Sequence, residues 1–166
     1  GYARVVRAMP NTPALIGAGI TGMFATPEAV TASERDAAER VMRAVGQVVW
    51  VADEAQMDAV TAVSGSGPAY VFHFIEALEA AGQSCGFTPE VARQLAIQTV
   101  LGAARLAAES DVGPDVLRER VTSKGGTTAA ALASFAQDDL LGSVQRAVLA
   151  AKARGRELGD ELGRGS

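Results

Sequence analysis

The sequence predicts a mostly α chain in which a strand–strand–helix–strand segment is followed by five or six helices. Three observations carry this. Short β-branched and apolar runs lie before residue 52, the apolar period turns helical from Asp53 onward, and glycine- or proline-bearing breaks then recur at interhelical spacing.

Residues 4–8 and 20–25 have the composition of strands, and residues 47–51 (Gln-Val-Val-Trp-Val) that of a buried strand. Between the last two, Ser33 with Asp36 resembles a capping box, and Ala37, Val41, Ala44 and Val45 recur on one helical face before Gly46 ends it. Breaks are expected at 65–68, 82–89, 110–114, 123–126 and 138–142. Thr88 before Pro89 is a strong start, an N-cap followed by proline at the first helical position. In the helix it opens, Leu95, Thr99, Gly102 and Leu106 form one stripe, with Ala92, Ala96, Ala103 and Ala107 beside it. So wide an apolar band suggests a helix packed on several sides, beyond what about 110 residues can bury alone. Residues 159–166 are glycine-rich and charged and are expected to fray.

The 166 residues, 48% apolar and 20% charged, describe a soluble, core-forming protein with a net charge of −4. That charge gives no basic field for nucleic acid or an anionic membrane, and no run reaches the roughly 18 apolar residues of a membrane span. One cysteine and one histidine exclude a disulfide framework and a zinc cluster, so no metal is expected and the location reads as cytoplasmic. His73, between Val71-Phe72 and Phe74-Ile75, reads as a structural histidine, and Cys85 beside Gly86 as an inert thiol.

Three segments carry chemistry. Residues 121–128 (Val-Thr-Ser-Lys-Gly-Gly-Thr-Thr) precede an alanine-rich helical run, so free amides, hydroxyls and the positive helix end converge where a small carboxylate would bind. The bland alternative is an interhelical turn with Thr127 or Thr128 as an ordinary N-cap. Ser64-Gly65-Ser66-Gly67-Pro68 lacks the Gly-Lys-Ser/Thr ending of a phosphate loop and reads as a close-approach segment, with Pro68 in the first turn of the helix carrying Tyr70 and Phe74. Gly17-Ala18-Gly19-Ile20-Thr21-Gly22 matches the dinucleotide pattern but fails in context, because it runs into a strand and Pro27 follows.

Taken with Met9-Pro10-Asn11-Thr12-Pro13, the segments at 63–70 and 121–128 closely resemble the pyrroline-5-carboxylate reductases, from about Ala3 to Gly159. Lys124 departs from the proline that many members carry, which is expected to alter the rim of the site only. The resemblance implies that residues 1–52 are the closing part of a Rossmann-type NAD(P)-binding domain whose fingerprint lies upstream, and that 53–166 form an all-helical dimerisation and substrate-binding domain. It implies reduction of 1-pyrroline-5-carboxylate to L-proline by NADPH or NADH, in an intertwined homodimer that can form higher assemblies. By the same resemblance, Ser123 and the backbone of Gly125, Gly126 and Thr127 hold the substrate carboxylate, and the catalytic Thr128 hydroxyl reaches the ring nitrogen. Ser64, Gly65, Ser66 and Gly67 lie beside the nicotinamide and substrate, and Glu54 lies near the substrate, although it reads equally as a charge at a helix N-terminus. Arg120 approaches the cofactor or substrate by position alone, and reads otherwise, and more readily, as an exposed helix arginine. A related cyclic imino acid reductase and a non-catalytic helical oligomerisation module remain alternatives, and the 166 residues alone are expected to be inactive.

Overall fold

A computed structural model describes residues 4–26 and 28–164. Ala3, where the resemblance begins, Pro27, which argued against a helix after Gly22, and the last two residues of the expected frayed end lie outside the described residues.

The chain divides into two compact units: residues up to Tyr70 together with those from Gln145 onward, and residues 71–144. In the first unit, β1 (Arg7–Met9) runs antiparallel to β2 (Gly19–Phe24), and β2 runs parallel to β3 (Gly46–Trp50), with Gly19 opposite Gly46 and Met23 opposite Trp50. A parallel pair needs a crossover, and α1 (Ala32–Arg43) supplies it. The expected order of strands and helix is therefore observed, with β1 displaced toward Met9 and a 3₁₀ turn over Thr12–Ile16 in the first loop.

Local chemistry fixes these boundaries. The capping box of α1 is Thr31 with Glu34, not Ser33 with Asp36: the Thr31 amide donates to Glu34 Oε2 at 2.8 Å, and the Glu34 amide donates to Thr31 Oγ1 at 3.4 Å. The reciprocal bond requires the longer glutamate arm. The Thr31 amide, then its hydroxyl, then Arg4 hold the Glu34 carboxyl below the usual carboxylate range. The helix ends at Arg43 with Ala44 as its cap, and Gly46 instead opens β3 at φ +150, where a Cβ would strike the Gly19 carbonyl. Trp50 is tied back to α1, its indole N–H donating to Glu39 at 2.6 Å under the Arg35 guanidinium, 4.1 Å from the ring centre.

The core of this unit is Thr21, Met23, Ala25, Val30, Met57 and Ala62. α2 (Gln56–Val60) packs on β2 because Gly22 presents no Cβ to the Val60 methyls.

The helical part comprises α3 (Gly67–Ser84), α4 (Pro89–Glu109), α5 (Pro114–Arg120), α6 (Thr127–Gln137) and α7 (Leu140–Arg164), which with α2 makes six helices after Asp53. The Thr88 cap and Pro89 start of α4 are as expected, with the Val91 amide donating to Thr88 Oγ1 at 3.4 Å. In the second unit α4 lies close against α3. A Cβ on Gly82 would stand 3.0 Å from that of Ala92, and Arg93 forks onto Glu79 through contacts of 3.2 and 3.1 Å. Ala92 and Ala96 are buried there, but Leu95, Ile97, Leu101 and Leu106 remain 40–57% exposed, so α4 is not packed on several sides within one chain. α7 continues helically through Gly159 where fraying was expected, with Arg154 bridging Glu157 at 2.9 Å and Glu161 at 3.1 Å. The pair with Glu157, three residues on, favours the helical state.

Among the described residues, no helix is long and apolar enough to cross a membrane.

Candidate functional site

Two segments concentrate the residues singled out in the sequence. The first is the turn into α6. The Gly126 amide donates to the Ser123 carbonyl at 3.0 Å, and Gly125 sits at φ +72, the conformation required at the third position of a type II turn. Gly126 is the N-cap, and a Cβ there would strike Ser123 Oγ. Gly125 is thus demanded by its left-handed backbone, while Gly126 leaves room for the close approach of Ser123.

Because the cap is a glycine, no side chain bonds the first turn of α6. Neither Thr127 nor Thr128 acts as an N-cap: they are the first two residues of the helix itself. Their amides and that of Ala129 precede the first intrahelical donor, Ala130, whose N–H reaches the Gly126 carbonyl at 3.2 Å. Thr127 is exposed and Thr128 half-buried. Three amides, two threonine hydroxyls and the positive end of an 11-residue helix therefore share one short stretch of chain. That is an anion-binding arrangement. Lys124 is exposed at the rim of the turn, and Arg120 is exposed at the last position of α5.

The second segment lies in the other unit. The break expected at 65–68 is not a loop but a π-helical turn over Thr61–Gly65 that joins α2 to α3 with the helical sense retained. The Ser66 amide reaches back five residues to the Thr61 carbonyl at 2.8 Å, where an α-helix would pair it with Ala62. Pro68 explains the switch, having no N–H for the Ser64 carbonyl and a ring that clashes with it in an unbroken α-register. Ser64 Oγ donates to the Val60 carbonyl at 2.9 Å. At Gly65 the methyl of Met9 comes close enough to lie 2.7 Å from an added Cβ, while Gly67 faces open space. The close approach inferred for these glycines is therefore to the end of β1.

Glu54 precedes α2 and ion-pairs with Arg7 of β1 at 3.3 Å, both side chains largely exposed. Arg7 carried no signal in the sequence, since the pair spans 47 residues. Tyr70 was noted only as a passenger on α3, yet its hydroxyl donates to the Ala62 carbonyl at 3.1 Å.

Gly17 to Gly22 does not form a nucleotide-binding turn. Gly17 ends the 3₁₀ turn at φ +72, and Gly19 to Gly22 lie in β2, where a Cβ on Gly19 would sit 2.8 Å from Ala14. His73, read as a structural histidine, is exposed on α3 with Nδ1 3.2 Å from Glu76. Cys85 is exposed, and no metal-binding cluster occurs among the described residues.

One helical unit with open apolar faces and a glycine-capped helix start, and one unit built on a parallel β–α–β crossover, define a chain of mixed α and α/β class with apolar surface left outward. The model of the pyrroline-5-carboxylate reductase dimerisation family matches residues 54–158, and the chain belongs to this family. It is 48% identical over 159 residues to the pyrroline-5-carboxylate reductase of Pseudomonas aeruginosa, covering 96% of this chain and 58% of that protein. Among solved structures it resembles the pyrroline-5-carboxylate reductase of Coxiella burnetii, with TM-score 0.92 and 48% identity over 95% of this chain and 58% of that one. It also resembles the Plasmodium falciparum pyrroline carboxylate reductase with NADP bound, with TM-score 0.84 and 33% identity over 93% of this chain and 58% of that one. The chain thus spans 58% of the length of each of these relatives.

Proposed function

We propose that this chain is the dimerisation and substrate-binding part of a pyrroline-5-carboxylate reductase, which reduces 1-pyrroline-5-carboxylate to L-proline with NADPH or NADH in the last step of proline biosynthesis. The observation that carries the reading is the uncapped start of α6, where a glycine N-cap leaves three amides for an anion. Hydrogen bonds to a charged group contribute about 1.5–3 kcal/mol each. Several together hold a metabolite with little apolar surface. In this reading Ser123, Gly125, Gly126 and Thr127 surround the substrate carboxylate, and Thr128 Oγ1 accepts from the protonated ring nitrogen, holding the proton there. Glu54, Arg120 and the Ser64, Gly65, Ser66 and Gly67 segment border the substrate and nicotinamide.

The nicotinamide, when bound, supplies a hydride to the imine carbon. The described residues do not fit its diphosphate, because the glycine pattern at Gly17 leads into β2 rather than into a helix. Residues 1–52 accordingly close a nucleotide-binding domain and 53–166 form the dimerisation domain, a division supported by a family match starting at residue 54. The apolar residues left open on α4 support a homodimer, and dimers can associate further. A cytoplasmic location suits such a biosynthetic enzyme.

In the protein that carries this chain, Thr128→Ala is expected to lower kcat about a hundred- to a thousandfold, or about 2.7–4 kcal/mol, with cofactor affinity unchanged. Steady-state kinetics equal to the parent would remove Thr128 from the chemistry. Glu54→Ala is expected to act more weakly, on substrate KM. Calorimetric titration of the 166-residue chain with NADPH is expected to show no stoichiometric binding, and micromolar affinity would restore Gly17 to Gly22 as a cofactor site.

A further inference from the structure

We propose that Tyr70 is a positioning residue for the reductase reaction, acting through the π-turn that carries Ser64 and leads into Ser66 and Gly67. The proposal rests on the reading of that segment as a border of the reaction site. At the π-turn the Ser66 amide moves to the Thr61 carbonyl, so the Ala62 carbonyl loses its α-helical partner. Ala62 is fully buried, and an unpaired carbonyl there carries a desolvation cost. The half-buried Tyr70 provides the missing donor, its hydroxyl 3.1 Å from that oxygen. The bond reaches across Pro68, the residue that breaks the α-register, and links the first turn of α3 to the turn before it.

The other restraints on the segment point the same way. Ser64 Oγ is committed to the Val60 carbonyl, and Gly65 is pressed by Met9. Gly67, facing open space, has no such neighbour. The Tyr70 bond therefore restrains the stretch from Ser66 to Pro68 that lacks other side-chain support, and small displacements of a site border cost rate steeply.

The test is Tyr70→Phe in the complete protein, which keeps the ring and removes only the hydroxyl. A kcat about tenfold lower is expected, with both KM values within about twofold of the parent and amide exchange at Ser66 about tenfold faster. If the parent reduces 1-pyrroline-5-carboxylate and the variant matches its kcat, the positioning role is overturned. A lower kcat with unchanged Ser66 exchange also overturns it, because the effect would not pass through the turn. A parent unable to reduce 1-pyrroline-5-carboxylate overturns the reaction assignment itself, and Tyr70's part in it, and is recognised before any variant is compared.

Discussion

The unit that contains the sheet and the unit that contains α4 solve burial differently. Around the sheet, Met23 and Met57 are 1% and 0% exposed, although Leu15, Ile16, Val41, Val63 and Leu149 of the same unit are 62–90% exposed. In residues 71–144 the buried hydrophobics are two alanines, Ala92 and Ala96, while Phe72, Leu95, Ile97, Leu101 and Leu106 face outward. Exposed apolar surface on this scale marks a binding surface. Both units leave apolar side chains outward, but the first buries methionines and a valine at its own centre, whereas the second buries only alanines.

The largest effect is expected for Leu95→Glu. Leu95 is 50% exposed in the single chain, so the substitution leaves that fold intact, but it places an uncompensated charge in the inferred interface. Such a charge costs about 3–5 kcal/mol when buried. Light scattering at micromolar concentration is expected to show a dimer for the parent and a monomer for the variant. Equal masses would mean that α4 does not form the contact.

A smaller effect, confined to the first unit, is expected for Gly22→Ala. The added methyl meets the Val60 side chain between β2 and α2, and overpacking of this kind costs about 1–3 kcal/mol. Denaturant unfolding measures it, and an unchanged midpoint would show that α2 yields where the packing implies it cannot. Dimer mass should be unaffected.

The smallest effect is that of Thr31→Ala, which removes a hydroxyl cap worth about 0.5–2 kcal/mol. Its pH dependence sharpens the assignment. Thr31 lowers the Glu34 pKa, so the associated stabilisation is present above the unfolded glutamate value of about 4.3 and is lost as pH falls through the lower folded value. The stability difference between parent and variant is therefore expected to narrow on acidification below about pH 4. A difference that stays constant to pH 2 in thermal melts would separate the cap from Glu34.

Much of the architecture was legible because it is written in short-range chemistry. Thr88-Pro89 starts α4, the glycines at 125 and 126 turn the chain into α6, and the strands flanking α1 show their composition. At the start of α1 the sequence pointed to Ser33 with Asp36, whereas the box forms at Thr31, whose partner Glu34 has the arm that closes reciprocally. The π-turn was not legible from periodicity, since it changes the hydrogen-bond register by one residue without ending the helix, although Pro68 marked where the register had to change. At the candidate site, contiguous residues 123–128 could be read from sequence, whereas the Glu54–Arg7 pair and the Tyr70 bond depend on tertiary proximity.

The α3–α4 hairpin also has a bearing on how the protein comes into being. Its ties are local, with Arg93 reaching Glu79 across 14 residues. Closing a loop of about ten residues takes on the order of 10–100 ns, far faster than two chains meet. A newly made chain therefore displays α4 already folded and already apolar before any partner arrives. Encounter then joins two preformed surfaces, and the rate at which this happens, set by protein concentration, competes with every other hydrophobic surface in reach.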